Sequence, residues 1–346
     1  MARKTKKVFD VSKQQIDNLS EDHKWLIEEF LRYCEAENKS KKTIKVYHSN
    51  LNIFFVWFED NCKIKGKTKH VSQFKTRELI NIQSFMLKEG LSGSRIANIR
   101  ASISSLFNYI ENVLADDEDF EEFKNFRNCV SKVKAPSKEK VREKTILTDE
   151  QCQSLLDQLV EEGKFQMACA FALAWATGRR KAELLEFKCS HIDDKNLKFG
   201  SLYKTPFLQT KGKKLELYII KSKFKPYYDL WMAERERLGV PSDVDDIFIK
   251  NTPDGWKSMK ESTLNVWAGM ITKRLGVDFY WHCVRHNFTT ELLKAGIPEA
   301  VVQQIIGWTS ADMLRIYDDR SKDDIIGEYF SEDGIINKET KSLNDL

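Results

Sequence analysis

Residues 165–178 read FQMACAFALAWATG, a run in which nearly every position around a helix is apolar or small. A helix without a polar face cannot lie on a surface, so it must be enclosed by other elements or by lipid. The run is shorter than the roughly 18 to 20 apolar residues that cross a bilayer, and no other stretch reaches that length. The chain must therefore build a protein shell around residues 165–177, with Gly178 suited to end the helix in a left-handed turn.

At 346 residues the chain exceeds one ordinary core, and two domains are expected. Residues 1–20 are polar and basic and read as a flexible N-terminal segment; residues 21–131 carry helical periodicity throughout. In SKKTIKVYHSNLNIFFVWFED, Ser40 is a candidate N-cap and Ile44, Tyr47, Leu51, Phe54 or Phe55, and Phe58 share one face. SGSRIANIRASISSLFNYIENVL repeats the pattern with Ile96, Ile99, Ile103, Leu106 and Ile110. Residues 132–145 are basic and almost devoid of apolar side chains, as in an inter-domain linker. A second domain, 146–330, opens with Thr148 as a cap and Asp149 and Glu150 in the first turn. Beyond the enclosed helix, residues 196–220 alternate like strands of a small antiparallel sheet, with a turn at TKGKK and Leu215, Leu217 and Ile219 in phase. Helical patterns resume near residue 258 and run, with breaks at Gly276, Gly296 and Gly307, to about 330, leaving 331–346 as a tail. The fold class is thus mainly α with a small antiparallel β-sheet.

Lysine and arginine number 56 against 52 acidic residues, a net charge of +4, so composition alone names no partner. Seven cysteines are scattered and never form a Cys-x-x-Cys pair, against both a disulfide framework and a zinc ribbon. A reducing, cytoplasmic location without membrane attachment is the expectation.

Chemistry concentrates in WHCVRHNFTTELLKAG, residues 281–296. His282 and His286 could share a helix face, but Cys283 stands where a zinc hydrolase has glutamate, and Arg285 would repel a dication, so no metal is expected. An anion fits better, because a guanidinium presents a rigid fork of donors to phosphate oxygens. Three further segments carry matching chemistry: ATGRRKAELLEF with Arg179, Arg180 and Glu183; QTKGKK with Lys211 and Lys213; and QQIIGWTSADMLRIYDD with Trp308 and Tyr317.

Their joint order resembles the tyrosine recombinase (phage integrase) family, of the Xer/Cre-like site-specific type. The family pattern TGLR-x-x-EL is met by Thr177, Gly178, Arg180, Glu183 and Leu184, with Arg179 where an apolar residue is usual. HxLRHTFAT-x-LL-x-x-G is met by His282, Arg285, His286, Phe288, Thr290, Leu292, Leu293 and Gly296, with Val284 and Asn287 as departures. VQQIIGW supplies Trp308, and Tyr317 follows nine residues later. The resemblance is strong over residues 146–320 and implies a helical core-binding domain ahead of a mixed α/β catalytic domain.

It further implies DNA cleavage and rejoining through a 3′-phosphotyrosyl intermediate, without metal, ATP or other cofactor, for integration or excision of a mobile element. The implied catalytic set is Arg180, Lys211, His282, Arg285, Trp308 and Tyr317, with Glu183 and His286 in supporting roles. Arg180 and Arg285 would clamp the phosphate, Tyr317 would attack, His282 would accept its proton, and Lys211, with Lys213 as fallback, would protonate the leaving 5′-oxygen. The implied partner is double-stranded DNA with inverted-repeat half-sites. A homotetramer on two duplexes would form through a C-terminal segment bearing Ile325, Ile326, Tyr329 and Phe330, with accessory DNA-bending or directionality factors. The same chemistry would also serve a type IB topoisomerase, and the same fold a non-catalytic DNA-binding regulator.

Overall fold

A computed structural model describes residues 11–137, 144–210, 213–308, 310, 314, 318, 330–331 and 334–335. The chain divides into two compact units, Ala2–Glu143 and Lys144–Leu346.

The first unit is built from helices α1 (Lys13–Asp17), α2 (Glu21–Ala36), α3 (Lys41–Asn61), α4 (Thr76–Lys88) and α5 (Gly93–Asn112), with a short hairpin of β1 (Lys63–Ile64) and β2 (Lys67–Thr68). Ser40 caps α3 by accepting from the Thr43 amide. The five apolar positions of α5 are fully buried against α3, where Phe54 meets Phe107 and Phe74 edge-on at centroid distances of 5.8 and 5.5 Å. Burial on α3 is wider than one stripe: Asn50 through Phe58 are all buried, whereas Ile44 and Tyr47 are only partly so. Asn50 is accommodated because its amide donates to Asn98 Oδ1 at 2.9 Å and Ser102 Oγ at 2.8 Å.

Two departures from the sequence reading occur at the borders of this unit. Leu19, in the stretch expected to be flexible, is buried, and the Ser20 amide donates to Glu59 Oε1 at 2.9 Å. At the other end Arg100 donates to the carbonyls of Val130 and Val133, holding the first residues of the basic stretch against the helices.

The second unit begins with α6 (Asp149–Glu161), where Thr148 and Gln151 form a reciprocal capping box. Helix α7 (Phe165–Thr177) is buried at every position from Met167 to Thr177. Strands β3 (Leu197–Lys198), β4 (Leu202–Lys204) and β7 (Tyr218–Ile220) form a three-stranded antiparallel sheet, while β5 (Leu208–Thr210) and β6 (Lys213–Leu215) pair with each other in a separate two-stranded sheet. Leu215 and Leu217 therefore share a phase without sharing a strand: the chain changes partner between them, where the Thr205 amide and hydroxyl bond the Leu217 backbone.

Helix α8 (Lys221–Arg237) and the hairpin of β8 (Ile249–Thr252) and β9 (Gly255–Ser258) occupy a region that sequence periodicity left unassigned. Helices α9 (Glu261–Leu275), α10 (Trp281–Lys294) and α11 (Glu299–Ile306) follow, with left-handed glycines at Gly276 and Gly307. Around α7 are packed α6, α8, α10 and β7, the shell its composition demands. Phe330, expected at the end of a helical pattern, instead begins β10 (Phe330–Ser331), which pairs antiparallel with β11 (Gly334–Ile335). Ile325, Ile326 and Tyr329 lie outside the described residues. No described helix is long and apolar enough to cross a membrane.

Candidate active site

The site is assembled where α7 ends. Gly178 takes φ +58°, and a Cβ there would lie 2.5 Å from Phe288 Cδ1, so only glycine permits α10 to approach this closely. The approach lets Arg285, wholly buried on α10, donate from Nη1 to the Gly178 carbonyl at 3.0 Å. Its guanidinium also stacks 5.3 Å from the ring centre of Trp308, just past the end of α11.

The two tandem arginines diverge. Arg180 remains partly exposed and is gripped by Glu183, whose Oε1 accepts from Nη1 at 2.9 Å while Oε2 accepts from the Arg180 amide at 3.3 Å. Arg179 turns inward and donates to the last carbonyls of α11, those of Ile306 at 3.2 Å and Ile305 at 2.5 Å. Burial, with Arg285 and Arg180 nearby, brings the Arg179 guanidinium down to about 10.

His282 and His286 lie one turn apart on α10, ring centres 5.6 Å apart and nearly perpendicular. Burial, then the neighbouring His286, Arg285 and Arg180, lowers the His282 imidazole to about 4, so it is neutral at physiological pH and able to accept a proton. His286 is buried. Trp308 is also buried, in a cluster with Phe288, Leu292, Val302 and Ile306. The structure thus brings together Arg180, Glu183, His282, Arg285, His286 and Trp308. Lys211 and Tyr317 lie outside the described residues. Leu215 of the hairpin flanking residue 211 packs on Gly307, next to Trp308. Among the described residues no cluster of His, Cys, Asp and Glu could hold a metal ion.

Sequence reasoning missed two contributors. The Gly178 carbonyl orients Arg285, and a backbone acceptor leaves no trace in residue identity. Asn287 pairs with Leu147, its amide nitrogen donating to the Leu147 carbonyl and its Oδ1 accepting from the Leu147 amide at 3.3 Å. An asparagine one turn beyond the apolar Cys283 and Val284 of α10 was the signal available for it.

The buried Arg285, the partly exposed Arg180 and a neutral imidazole make a donor set suited to a tetrahedral or pentacoordinate anion, in surroundings where a charge acts at greater strength than in water. Residues 145–323 match the phage integrase family and residues 26–134 its N-terminal SAM-like domain. The chain belongs to the phage integrase family. This tyrosine recombinase is 32% identical to the SPbeta prophage-derived recombinase-like protein YomM of Bacillus subtilis over 83% of its own length and 84% of the relative's. It is 24% identical to the tyrosine recombinase XerD of Listeria innocua, over 84% and 93% of the two chains. Its fold is shared with the XerH site-specific recombinase bound to palindromic difH substrate, at a TM-score of 0.63 and 19% identity over 87% and 83% of the chains. It is likewise shared with a lambda integrase dimer bound to a core site, at 0.61 and 17% over 86% and 95%.

Proposed function

We propose that this recombinase cuts and rejoins duplex DNA through a 3′-phosphotyrosyl intermediate in the integration or excision of a mobile element. The observation that carries the reading is the meeting of Arg180, Arg285 and a neutral His282 at the junction of α7 and α10. In the proposed step the Tyr317 oxygen bonds to phosphorus and the bond to the 5′-oxygen breaks. The phenol proton passes to His282, and the leaving oxygen takes a proton from Lys211. Arg180 and Arg285 take up the charge that develops on the non-bridging oxygens, and Trp308 orients the phosphate. Glu183 holds Arg180, and His286 supports His282 from the next turn. The energy of the cleaved bond is kept in the tyrosyl ester, so a second DNA end can displace it without a nucleotide cofactor. The prophage origin of YomM supports the mobile-element role, and recombinase–DNA complexes among the structural relatives support duplex DNA as substrate.

Inverted half-sites, a homotetramer joined through the C-terminal segment, and accessory factors complete the reading. The test is to incubate the full chain with a library of nicked duplexes, isolate protein that remains joined to DNA in denaturant, and sequence what is attached. The expected result is a discrete family of sites whose adduct disappears in Tyr317→Phe. Relaxation of any supercoiled plasmid without site preference would point to a topoisomerase, and binding without an adduct to a regulator.

A further inference from the structure

Arg179 is the arginine that the mechanism above leaves unused, yet it is the more deeply buried of the tandem pair, with 2% of its surface exposed. Burying a guanidinium without a carboxylate is costly, and here the carboxylate of Glu183 is committed to Arg180. What offsets the cost is the C-terminal end of α11, whose Ile305 and Ile306 carbonyls carry the negative end of the helix dipole. Its Nε meets no acceptor among the described residues. The side chain is also tied to the site by position. The residue before it supplies the carbonyl that orients Arg285, and its Nη1 lies 3.8 Å from where a Cβ on Gly307 would stand, beside Trp308.

The fixed charges of the described site are three guanidiniums and one carboxylate, which leaves two net positive charges; without Arg179 one would remain. A phosphodiester carries one negative charge, and attack by a phenolate raises it to two in the transition state. A charge present on the enzyme throughout, but fully matched only in that state, lowers the barrier rather than merely tightening binding.

We propose that Arg179 is a positioning residue that adds a permanent positive charge behind Arg285, opposing the negative charge that grows on the phosphate in the transition state, while its grip on α11 fixes Trp308. This rests on the phosphotyrosyl reading above. Because Arg179 stands one layer behind the phosphate, its removal should cost less than the roughly 10²- to 10³-fold that loss of a directly contacting donor costs, about 10- to 100-fold.

The test uses the full chain and the nicked duplex recovered by covalent trapping, made once with the normal scissile phosphodiester and once with a methylphosphonate that lacks one negative charge. Single-turnover adduct formation is measured for the parent, Arg179→Leu, Arg179→Gln and Arg179→Lys. The ratio of the two substrates' rates within one preparation is independent of how much of that preparation is folded. Leu and Gln should lose about 10- to 100-fold on the phosphodiester and only a few-fold on the methylphosphonate. Lys, which keeps the charge, should retain the parental ratio. A parental ratio in both neutral variants, or a Lys variant that behaves like Leu, overturns the proposal. If the parent itself forms no Tyr317-dependent adduct on the phosphodiester, the phosphotyrosyl reading fails, and this proposal with it.

Discussion

Replacing Gly178 with alanine tests the contact on which the site depends. The residue has φ +58° and ψ 25°, and holding a side chain in that left-handed region costs roughly 1 to 2 kcal/mol. The new Cβ would stand 2.5, 2.9 and 3.1 Å from Phe288 Cδ1, Cγ and Cβ, and overpacking of that kind costs about 1 to 3 kcal/mol. Together these give a loss of about 2 to 5 kcal/mol, or a fall in Tm of roughly 4 to 20 °C for a unit of this size. Six of the eight tryptophans lie beyond residue 144, so tryptophan fluorescence reports chiefly on this unit during thermal unfolding. In a Phe288→Ala background the two clashing ring atoms are gone and only the contact to the Cβ at 3.1 Å stays, so the same glycine substitution should cost little more than the backbone part of about 1 to 2 kcal/mol. An equal cost in both backgrounds, or a cost below about 1 kcal/mol in the parent, would refute the argument that glycine is required for α10 to approach.

His282 in the DNA-free protein should titrate near 4 by NMR, and an apparent pKa at its ordinary 6.5 would contradict the burial and charge seen around it. The folded state resists protonation more than the unfolded, so the histidine costs no stability above pH 6.5; stability falls as pH drops from there towards 4, and no further loss from this group follows below that. Asn287→Ala leaves both the amide and the carbonyl of Leu147 without their partner in a buried position and should destabilise the second unit by about 2 to 4 kcal/mol, measured by chemical denaturation. Arg100→Leu should speed amide hydrogen exchange at residues 130–133 while leaving the centre of α5 protected; unchanged exchange there would mean the guanidinium does not hold that segment.

The readable parts of the fold were those in which one local rule decides. The caps at Ser40 and Thr148 and the apolar stripe of α5 depend on neighbours three or four residues away, and all three occur as expected. Helix α8 was illegible for a definite reason. Pro226, a residue that reads as a helix breaker, lies inside it, and its buried positions Phe224, Tyr228, Trp231 and Arg235 include an arginine whose donors are absorbed by the carbonyls of Asp246 and Val244, so the apolar period is broken by a residue buried for polar reasons. The hairpin at β8 and β9 pairs short strands whose burial is confined mostly to Ile249, which leaves no alternation to detect. In the candidate site the residues were singled out by their resemblance to the family's motifs, but the divergence of Arg179 and Arg180 was not foreseeable there. Adjacent residues point apart on any backbone, and which of them meets α11 depends on an element more than 120 residues away.

The pairing of Asn287 with Leu147 also has a mechanical meaning. An asparagine amide presents a donor and an acceptor side by side, so it grips a backbone as a neighbouring strand would, with resistance to sliding in both directions. Thr145 adds a second anchor, its hydroxyl donating to the Asp278 carbonyl at 2.7 Å just ahead of α10. Tension applied to the chain at residue 144 would therefore be delivered to the helix that carries His282, Arg285 and His286 before reaching the interior of the unit. Residues 145–147 are attached to the helix of the candidate site itself, as a bell rope is to its clapper.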